Sequence, residues 1–407
     1  MICPSCSRPC RRSSGATGPT KTVVSIVALT IVALSLCWLT YTYCLYPYGV
    51  RLMARWFGQP VVHGDACPSV VMIISAFNEG QVIERKLVNA LELDYPKERI
   101  DVWVSSDGSA DDTNKIVRRF ARSCPRVHLV AYSVNRGKTA ALMETVRTVP
   151  GSVGVVVFSD ANSMYRRDAL RKLIRNFADP RVGCVAGELA YKGPSGEATY
   201  RRYENRIKLA QSRLGAPLTA EGSIFAVRRS LVPEVEDTLL EDMIIPLRVA
   251  ASGYRVFYEP EAVSIEDFRL DAQAQWQRRA RIVNRAVRSL RAVPEAWNPF
   301  RGGLRVVHFV SHRVMRWLAP FFLVAGYVAS LPLLWESWPV NLVGVMGLTG
   351  LVWVAAGWAA LRAGTRSLWL TLPFTFCVAN LAAAAGVLTA LVGVKRIRWT
   401  PVRQETA

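Results

Sequence analysis

Four long apolar runs without a formal charge constrain this chain more than any other feature. They cover residues 22–50, 317–335, 337–361 and 367–394. An α-helix needs roughly 20 apolar residues to cross the hydrocarbon core of a bilayer, and each run comes close to that length or exceeds it. Because a lipid-exposed segment satisfies its own backbone hydrogen bonds only as a helix, each run is expected to span a membrane. The sequence therefore predicts an integral membrane protein.

The first run has the features of an anchor that is retained. It is too long for the core of a signal peptide, and it lacks a convincing small-residue cleavage site. Four tyrosines gather near its end, namely Tyr41, Tyr43, Tyr46 and Tyr48. Tyrosine is enriched where a helix leaves the bilayer, so we expect these rings to form an interfacial aromatic belt.

The whole layout is expected to have six parts. They are a basic tail (1–21), the anchor (22–50), a soluble domain (51–270), amphipathic interfacial helices (271–316), three membrane segments (317–394) and a second basic tail (395–407). The clustered Cys3, Cys6 and Cys10 have no histidine near them as a fourth zinc ligand, which favours a reduced tail over a metal site.

Residues 70–113 predict an α/β sheet in the soluble domain. Two continuous apolar runs each end in small and acidic residues, and a helix-length segment (79–93) separates them. This is the pattern of parallel strands buried on both faces. Ligands bind beyond the carboxyl ends of such strands, so Asn78, Glu79 and Asp107 are candidate binding residues. No G-x-G-x-x-G follows either strand, which argues against a dinucleotide-binding fold.

Further candidates follow at later turns. Lys138 opens a predicted helix after a glycine, where backbone N–H groups and a cation converge on an anion. Asp160 and Asn162 follow the strand at 153–159, and two oxygen ligands so placed can reach one divalent cation. The plainer alternative for Asp107 and Asp111 is that they are turn and helix N-cap residues.

Six motifs in order resemble those of family 2 glycosyltransferases with a GT-A fold. They are S-A-F-N-E (75–79), S-S-D-G-S-A-D-D-T (105–113), N-R-G-K (135–138), D-A-N (160–162), L-L-E-D-M (239–243) and Q-W-Q-R-R-A-R (275–281). The resemblance covers residues 70–291. Together with the membrane layout, it is similar to the branch that holds cellulose, chitin, hyaluronan and poly-N-acetylglucosamine synthases.

The resemblance implies an α/β GT-A fold, with a Rossmann-like mixed sheet, and a role for each matching residue. Asp242 would be the catalytic base, and Asp160 with Asn162 would bind Mg²⁺ or Mn²⁺. Glu79, Asp107, Lys138 and Asp160 would bind the donor nucleotide, whereas Glu241, Gln275, Arg278 and Arg279 would contact the acceptor or the diphosphate. Since neighbouring helical residues point about 100° apart, Glu241 is expected to face away from Asp242. A capping pair at a helix N-terminus is the alternative for these two acids.

The chain departs from the family pattern at three positions. Asn162 replaces a second metal-binding aspartate, and Leu240 replaces the threonine before the acidic pair. Arg279 stands where the family has the tryptophan that holds an acceptor sugar. These departures leave sugar transfer in place as an expectation but put processive polymerisation in doubt.

A basic amphipathic helix is predicted between the soluble domain and the membrane segments. Six arginines fall in residues 271–291 among apolar residues. Such a helix suits the surface of an anionic membrane, with an ordinary solvated face as the alternative. The segment 301–316, with His308 and His312, is expected to continue along the interface, and its histidines are interpreted as interfacial rather than metal-binding.

The expected function is inverting transfer of a sugar from a nucleotide-sugar donor, UDP-linked, to a glycan or lipid acceptor in the synthesis of envelope or exopolysaccharide. Single transfer to a lipid is the alternative to processive synthesis, and a non-catalytic nucleotide-binding regulator is the alternative of another class. A transporter is disfavoured because the spans carry no charge. Nucleic acid is not an expected partner, and the oligomeric state is open.

The expected location is the cell (inner) membrane, with the catalytic domain in the cytosol, where nucleotide sugars are made. This orientation conflicts with the positive-inside rule, because it places Arg8, Arg11, Arg12 and Lys21 outside. The side of the C-terminal tail is left open by the same rule.

Overall fold

The structure is a computed structural model that describes residues 19–191, 196–266, 272–303, 305–365 and 367–394. The cysteine-containing tail and the C-terminal tail, on which two expectations fell, lie outside these residues. So do the side chains of residues 196–199 and 272–275, the latter group including Gln275.

The soluble domain is built on one eight-stranded mixed sheet. Its strands are β1 (Val70–Ala76), β2 (Ile100–Asp107), β3 (Val127–Tyr132), β4 (Val155–Asp160), β5 (Met164–Tyr165), β6 (Val182–Tyr191), β7 (Ile224–Arg228) and β8 (Arg255–Glu266). They lie in the order β3-β2-β1-β4-β7-β6-β8-β5. The first four neighbours are parallel, whereas β7 is antiparallel to both β4 and β6. The expected mixed α/β sheet is therefore confirmed.

Helices cover both faces of this sheet. They are α3 (Ile83–Leu91), α4 (Thr113–Ser123), α5 (Lys138–Thr148), α6 (Ala169–Ile174), α7 (Gly196–Arg213) and α8 (Glu241–Ala251). Alternate residues of β1 enter different cores. Met72 and Ile74 belong to the cluster with α3, α4 and α6, whereas Val71 and Ile73 belong to the cluster with α5 and α8. Burial on both faces explains why the central strands are uninterrupted apolar runs.

The helix expected at 79–93 begins only at Ile83. Asn78 takes a positive φ of 51°, and the backbone N–H groups of Glu79 and Gly80 donate to the side chains of Thr113 and Asp111. These bonds fix the loop in a non-helical path, because the side-chain oxygens replace the carbonyl partners that a helix would supply.

Four helical stretches are long and apolar enough to cross a membrane: Thr22–Phe57, Arg305–Trp335, Asn341–Arg362 and Trp369–Leu391. Their helices are α1 (Pro19–Thr40), α2 (Tyr46–Phe57), α11 (Arg305–Phe309), α12 (Met315–Ser330), α13 (Asn341–Arg362) and α14 (Leu368–Leu391). A π-helical turn joins α1 to α2, and another, Val310–Val314, joins α11 to α12.

Two predicted boundaries therefore fall inside continuous helices. The helical stretch that contains the predicted anchor does not end at residue 50 but runs on to Phe57, and there α2 packs Val50 and Ala54 against Ile207 and Ala210 of α7. The helical stretch that contains the second predicted membrane segment begins at Arg305 rather than at residue 317, after the short α10 (Pro299–Gly302). Arg51, which ended the first predicted run, is exposed on the continuing helix, whereas His312 and Arg316, which precede the second predicted run, are buried.

Three of the four tyrosines expected at an aromatic belt bond to protein instead. The hydroxyl of Tyr41 lies 2.8 Å from Ser311 Oγ, and Tyr43 donates to Asn380 Oδ1 at 3.3 Å. Tyr46 is buried, with its hydroxyl 3.2 Å from His308 Nδ1, whereas Tyr48 is exposed. The rings therefore join the first span to the other spans.

The basic helix α9 (Ala272–Ser289) is packed between the soluble domain and α14. Val283 packs on Ala383 and Val387, and Asn284 donates to Thr389 Oγ1 at 3.0 Å. On its other side Arg285 is buried and donates to the carbonyl of Leu239. This helix is therefore not free to lie with a bare basic face on a membrane, because both of its sides have protein partners.

Candidate active site

The ends of β1 and β4 bring the first site residues together. Ser75 pairs with Asp160 across the two strands, and its hydroxyl donates to Asp160 Oδ1 at 2.9 Å. Gly137 has a φ of 100° and opens α5, which directs Lys138 to the same point. Lys138 Nζ lies 2.7 Å from Asp160 Oδ1 and 3.1 Å from Glu241 Oε1. The predicted lysine and carboxylates therefore meet around one ammonium group.

Glu241 and Asp242 occupy the first turn of α8, and both border the same cavity. Glu241 is buried, and its Oε2 accepts from Thr139 Oγ1 at 2.7 Å. The expectation that Glu241 faces away from Asp242 is wrong, because the cavity surrounds this helix end and side chains 100° apart both reach its wall. No side chain caps α8 at Leu240, whose own N–H donates to Ser289 Oγ at 3.1 Å; Glu241 and Asp242 are the acids of the first turn, as the capping alternative also expects.

The electrostatics of this cluster separate the two acids. Burial, and then the Glu241 carboxylate, raise the pKa of Asp242 to about 7. Burial opposes ionisation of Glu241 as well, but Lys138 and Arg285 outweigh it and hold the pKa of Glu241 well below its usual range. Burial lowers the pKa of Lys138, but the carboxylates of Asp160, Glu241 and Asp242 raise it by more. The net pKa of Lys138 is therefore above its ordinary value, and the lysine stays charged. A carboxyl group that titrates near neutrality suits general-base chemistry.

Asp107 and Asp111 make the bonds expected of turn and cap residues. Asp107 is buried and accepts from the backbone N–H groups of Arg136 and Gly137, both at 2.8 Å. Asp111 accepts from Gly80 and Thr113. Asp107 thus holds the turn that presents Lys138, and Glu79 is buried beside Thr113. Contact of Glu79 or Asp107 with a nucleotide stays a prediction.

The predicted cation ligands differ in placement. Asp160 lines the cavity. Ser75 and Lys138 both contact its Oδ1, so Oδ2 could bind a cation. Asn162 is exposed and lies outside the cavity lining. Within the described residues no group of three His, Cys, Asp or Glu side chains is arranged to bind a metal. A cation here would need further oxygen ligands from its substrate, as Mg²⁺ commonly has.

The cavity has a volume of about 420 Å³ and two chemically different poles. The acidic pole consists of Lys138, Asp160, Glu241 and Asp242. The membrane-side pole consists of the lining residues contributed by α9, by the helical run Arg305–Trp335 and by α14. A single cavity therefore connects the carboxyl ends of the strands with the helices that can cross a membrane.

The predicted residues of the Q-W-Q-R-R-A-R segment lie on α9 at the membrane-side pole. Arg278 is 3.9 Å from Glu266 Oε2, and the Arg279 guanidinium lies 5.8 Å from the centre of the Tyr200 ring. Both arginines line the cavity. The position of the Gln275 side chain lies outside the described residues, so its role stays a prediction.

Sequence reasoning missed a buried polar stripe on α7. Glu204 pairs with Arg316 and lies 3.2 Å from His312 Nε2, while Lys208 pairs with Glu221. His312 Nδ1 donates to Gln211 Oε1 at 2.8 Å. The only signal was the spacing of these residues at helical intervals, and long polar side chains at such intervals are usually exposed.

A buried lysine behind the acidic pole was also missed. Lys86 of α3 is fully buried, and its Nζ donates to the carbonyl of Ser163 at 2.5 Å. Burial lowers the pKa of Lys86 to about 7. Since Ser163 lies three residues after Asp160, this contact supports the turn that carries the predicted cation ligands.

Two family profiles match the chain. Residues 71–235 match glycosyl transferase family 2, and residues 155–386 match glycosyl transferase family group 2. The second match covers more than half of the chain and includes α9 and most of the three later helical stretches that could cross a membrane.

Curated relatives and a solved structure agree with these matches. A poly-beta-1,6-N-acetyl-D-glucosamine synthase of Staphylococcus aureus is 28% identical over 216 residues, which are 50% of this chain and 51% of the relative. A beta-monoglucosyldiacylglycerol synthase of Synechocystis is 27% identical over 240 residues, 54% of this chain and 49% of that protein. The chain thus spans about half the length of both relatives. The mannosyltransferase PcManGT of Pyrobaculum calidifontis, solved with GDP-Man and Mn²⁺, has the same fold, with a TM-score of 0.69 at 23% identity over 90% of this chain and 99% of that one.

Proposed function

This chain belongs to glycosyl transferase family group 2, and from that premise we propose that it is a membrane-bound inverting enzyme acting on a nucleotide sugar. The donor is a UDP-linked sugar such as UDP-N-acetylglucosamine or UDP-glucose, and the acceptor is a glycan or lipid of the cell envelope. The observation that carries the proposal is the acidic pole, where one ionised acid, one acid titrating near neutrality and one lysine meet at the strand ends.

Inverting transfer requires a base beside the acceptor hydroxyl. We assign this role to Asp242, and two observations support it: Asp242 lines the cavity, and its raised pKa of about 7 would let it take a proton near neutral pH. Glu241 cannot share the role while it accepts from Thr139 and pairs with Lys138. Instead its negative charge raises the basicity of Asp242 and fixes the ammonium group of Lys138.

The leaving nucleoside diphosphate gains negative charge as its bond to the sugar breaks. Lys138 lines the cavity at the N-terminal end of α5, where backbone N–H groups also favour an anion. In the proposed reaction this lysine exchanges part of its contact with Asp160 and Glu241 for the diphosphate. Preorganised cations of this kind stabilise developing charge without reorganisation during the reaction.

A divalent cation fits the remaining oxygen ligands at this pole. Asp160 offers Oδ2, whereas Asn162 is exposed outside the cavity lining and would have to turn inwards to bind the same ion. These hard oxygen donors suit Mg²⁺ or Mn²⁺, with donor phosphates completing the coordination. When bound, the ion supplies Lewis-acid stabilisation of the leaving phosphate. Asp160 then has to serve both Lys138 and the cation, so the two positive groups are held side by side.

We further propose that the soluble domain faces the cytosol, with the cavity opening towards the inner leaflet of the cell membrane. Docking of α2 on α7 and of α9 on α14 supports a fixed position of the domain at the membrane surface. Processive synthesis is the second candidate. The membrane layout and the polysaccharide-synthase relative favour it, whereas Arg279 in place of an aromatic platform favours a short product.

The purified protein in lipid vesicles tests this proposal with a panel of labelled UDP-, GDP- and TDP-sugars. Product formation from a UDP-sugar with inversion at the anomeric carbon, read by NMR, is the expected result. Retention of configuration would contradict the assignment of Asp242 as a base. The absence of turnover with every donor would contradict the proposed activity itself.

A further inference from the structure

Three arginines form a stripe along the cavity face of α9. Arg278, Arg281 and Arg285 are separated by three and four residues, which places them on one side of a helix, and all three line the cavity. Only Arg278 has a carboxylate at ion-pair distance among the described residues, namely Glu266 at 3.9 Å. Arg285 donates to neutral oxygens of Thr139 and Leu239.

Arg281 lies at the centre of this stripe, and no carboxylate of the described residues is at ion-pair distance from it. Burial, and then the charges of Arg285 and Arg278, lower its pKa to about 10. Clustered cations repel one another, and burial makes that repulsion stronger because it lowers the effective dielectric constant. A bound anion would offset the repulsion among the three guanidinium groups. A phosphate suits this position because its oxygens can accept two parallel hydrogen bonds from one guanidinium group.

The rim of the cavity beside this stripe is apolar and exposed. Ile282 of α9 is 45% exposed, and Leu372 of α14 is 48% exposed, yet both line the cavity. Behind them Phe376 and Ala379 of the same span continue the wall inwards. An apolar mouth bounded by a candidate membrane helix offers an acyl chain a surface to pack on, whereas a hydrophilic sugar gains nothing there.

We propose that the acceptor is a lipid whose headgroup carries both a phosphate and a free hydroxyl. Its phosphate lies against the Arg278–Arg281–Arg285 stripe, its chains leave over the exposed rim of Ile282 and Leu372, and its hydroxyl reaches the acidic pole. This assignment rests on the proposed glycosyltransferase function. The hydroxyl oxygen forms the bond to the anomeric carbon, its proton passes to Asp242, and the bond from that carbon to the diphosphate oxygen breaks with its electron pair on the nucleoside diphosphate.

The test compares three vesicle compositions with the same labelled donor: phosphatidylcholine alone, phosphatidylcholine with phosphatidylglycerol, and phosphatidylcholine with diacylglycerol. Phosphatidylglycerol supplies a phosphate and hydroxyls, whereas diacylglycerol supplies a hydroxyl without charge. The unmodified protein is expected to glycosylate phosphatidylglycerol at least tenfold faster than diacylglycerol, since a charge-assisted bond contributes about 1.5–3 kcal/mol, or roughly ten- to a hundredfold.

Arg281→Gln is expected to reduce this preference roughly tenfold or more while the KM for the nucleotide sugar stays unchanged. Arg291→Gln is the matched control, because Arg291 is exposed two residues beyond the end of α9 and does not line the cavity. The control should keep the full lipid preference. An unchanged donor KM in Arg281→Gln also shows that this variant is folded.

The outcomes distinguish a failure of the lipid assignment from a failure of the proposed glycosyltransferase function. Equal use of both lipids, or transfer only to a soluble glycan, would overturn the lipid assignment and leave glycosyl transfer standing. A rise in donor KM in Arg281→Gln with an unchanged lipid preference would assign the stripe to the donor diphosphate and equally overturn it. Turnover of no donor with any acceptor would instead contradict the proposed function.

Discussion

The two poles of the cavity differ in the charge of their side chains and in the structural elements that supply them. At the acidic pole three carboxylates surround one lysine, and strand ends or the helix starts beside them supply all four side chains. At the membrane-side pole six arginines line the cavity among apolar residues, and helices that follow the sheet in sequence supply them. In the proposed function the acidic pole supplies the base and the cation ligand for bond breaking. The membrane-side pole would bind the acceptor.

This contrast also separates what each pole requires of the fold. The acidic pole depends on backbone turns, such as the Asp107 bonds to Arg136 and Gly137 that present Lys138. The membrane-side pole depends on the docking of α9 against α14 through Val283 and Asn284. Substitutions at the first pole should therefore change rate and pH dependence, whereas those at the second should change acceptor choice.

The largest effect is expected from Asp242→Asn. This change keeps the size of the side chain but removes the base, and a general base contributes roughly 10²–10⁴-fold in rate. Transfer should fall by that factor while the Kd of the nucleotide, measured by calorimetry, stays nearly the same. A weakened nucleotide Kd with normal turnover would move Asp242 to the donor site and erase the difference in role between the two acids.

The next effect in size concerns the divalent cation. Chelation with EDTA is expected to abolish transfer, and addition of Mg²⁺ or Mn²⁺ to restore it. Asp160→Asn should reduce activity far more than Asn162→Ala, because only the first change removes a charge and disturbs the partner of Lys138. Full activity in EDTA would show that the acidic pole works without a cation. Equal losses in the two variants would contradict the larger role given to Asp160.

A smaller effect is expected in the pH profile. Asp242 is active as a base only when deprotonated, so kcat should rise with pH through its raised pKa of about 7. Glu241→Gln removes the nearest negative charge, which should lower the pKa of Asp242 and move the acidic limb of the profile to lower pH. Glu234→Gln is the control, since Glu234 is exposed and pairs with Arg147 away from the cavity. An unchanged limb in Glu241→Gln would exclude Asp242 as the titrating group.

The same contrast explains how much could be predicted from sequence. The acidic pole was predictable because each of its residues follows directly on a strand or opens a helix, and parallel strand ends meet at one edge. Lys138, Asp160 and Asp242 accordingly meet as expected. Asn162 shows the limit of this reasoning, since spacing of two residues does not fix which side of a turn a side chain takes, and it points outside the cavity.

The membrane-side pole was only partly predictable. Charge-free runs located the spans, but helix ends depend on which polar residues find partners, and His312 and Arg316 are buried by Glu204 of α7. That partnership joins residues more than a hundred positions apart, which no local pattern reveals. The arginines of α9 were recognised as a basic face, yet their position depends on the packing of Gly386 against the Ala280 carbonyl, since a side chain there would approach it to 2.7 Å.

The smallest effect, and the sharpest test of the membrane-side pole, is expected from Arg279→Trp. Arg279 lies over the Tyr200 ring in the cavity wall, at the position where the family places a tryptophan. A guanidinium prefers an anionic partner and offers a pyranose a poorer apolar face than an indole does. The unmodified protein should therefore add one or a few sugars, and sizing of the labelled product by gel filtration should show a short chain. Arg279→Trp should lengthen the product modestly without changing the donor KM, with Arg291→Trp as the control outside the cavity. Long chains from the unmodified protein would refute the short-product expectation. An unchanged length in Arg279→Trp would show that acceptor handling depends on the arginine stripe of α9 rather than on this position.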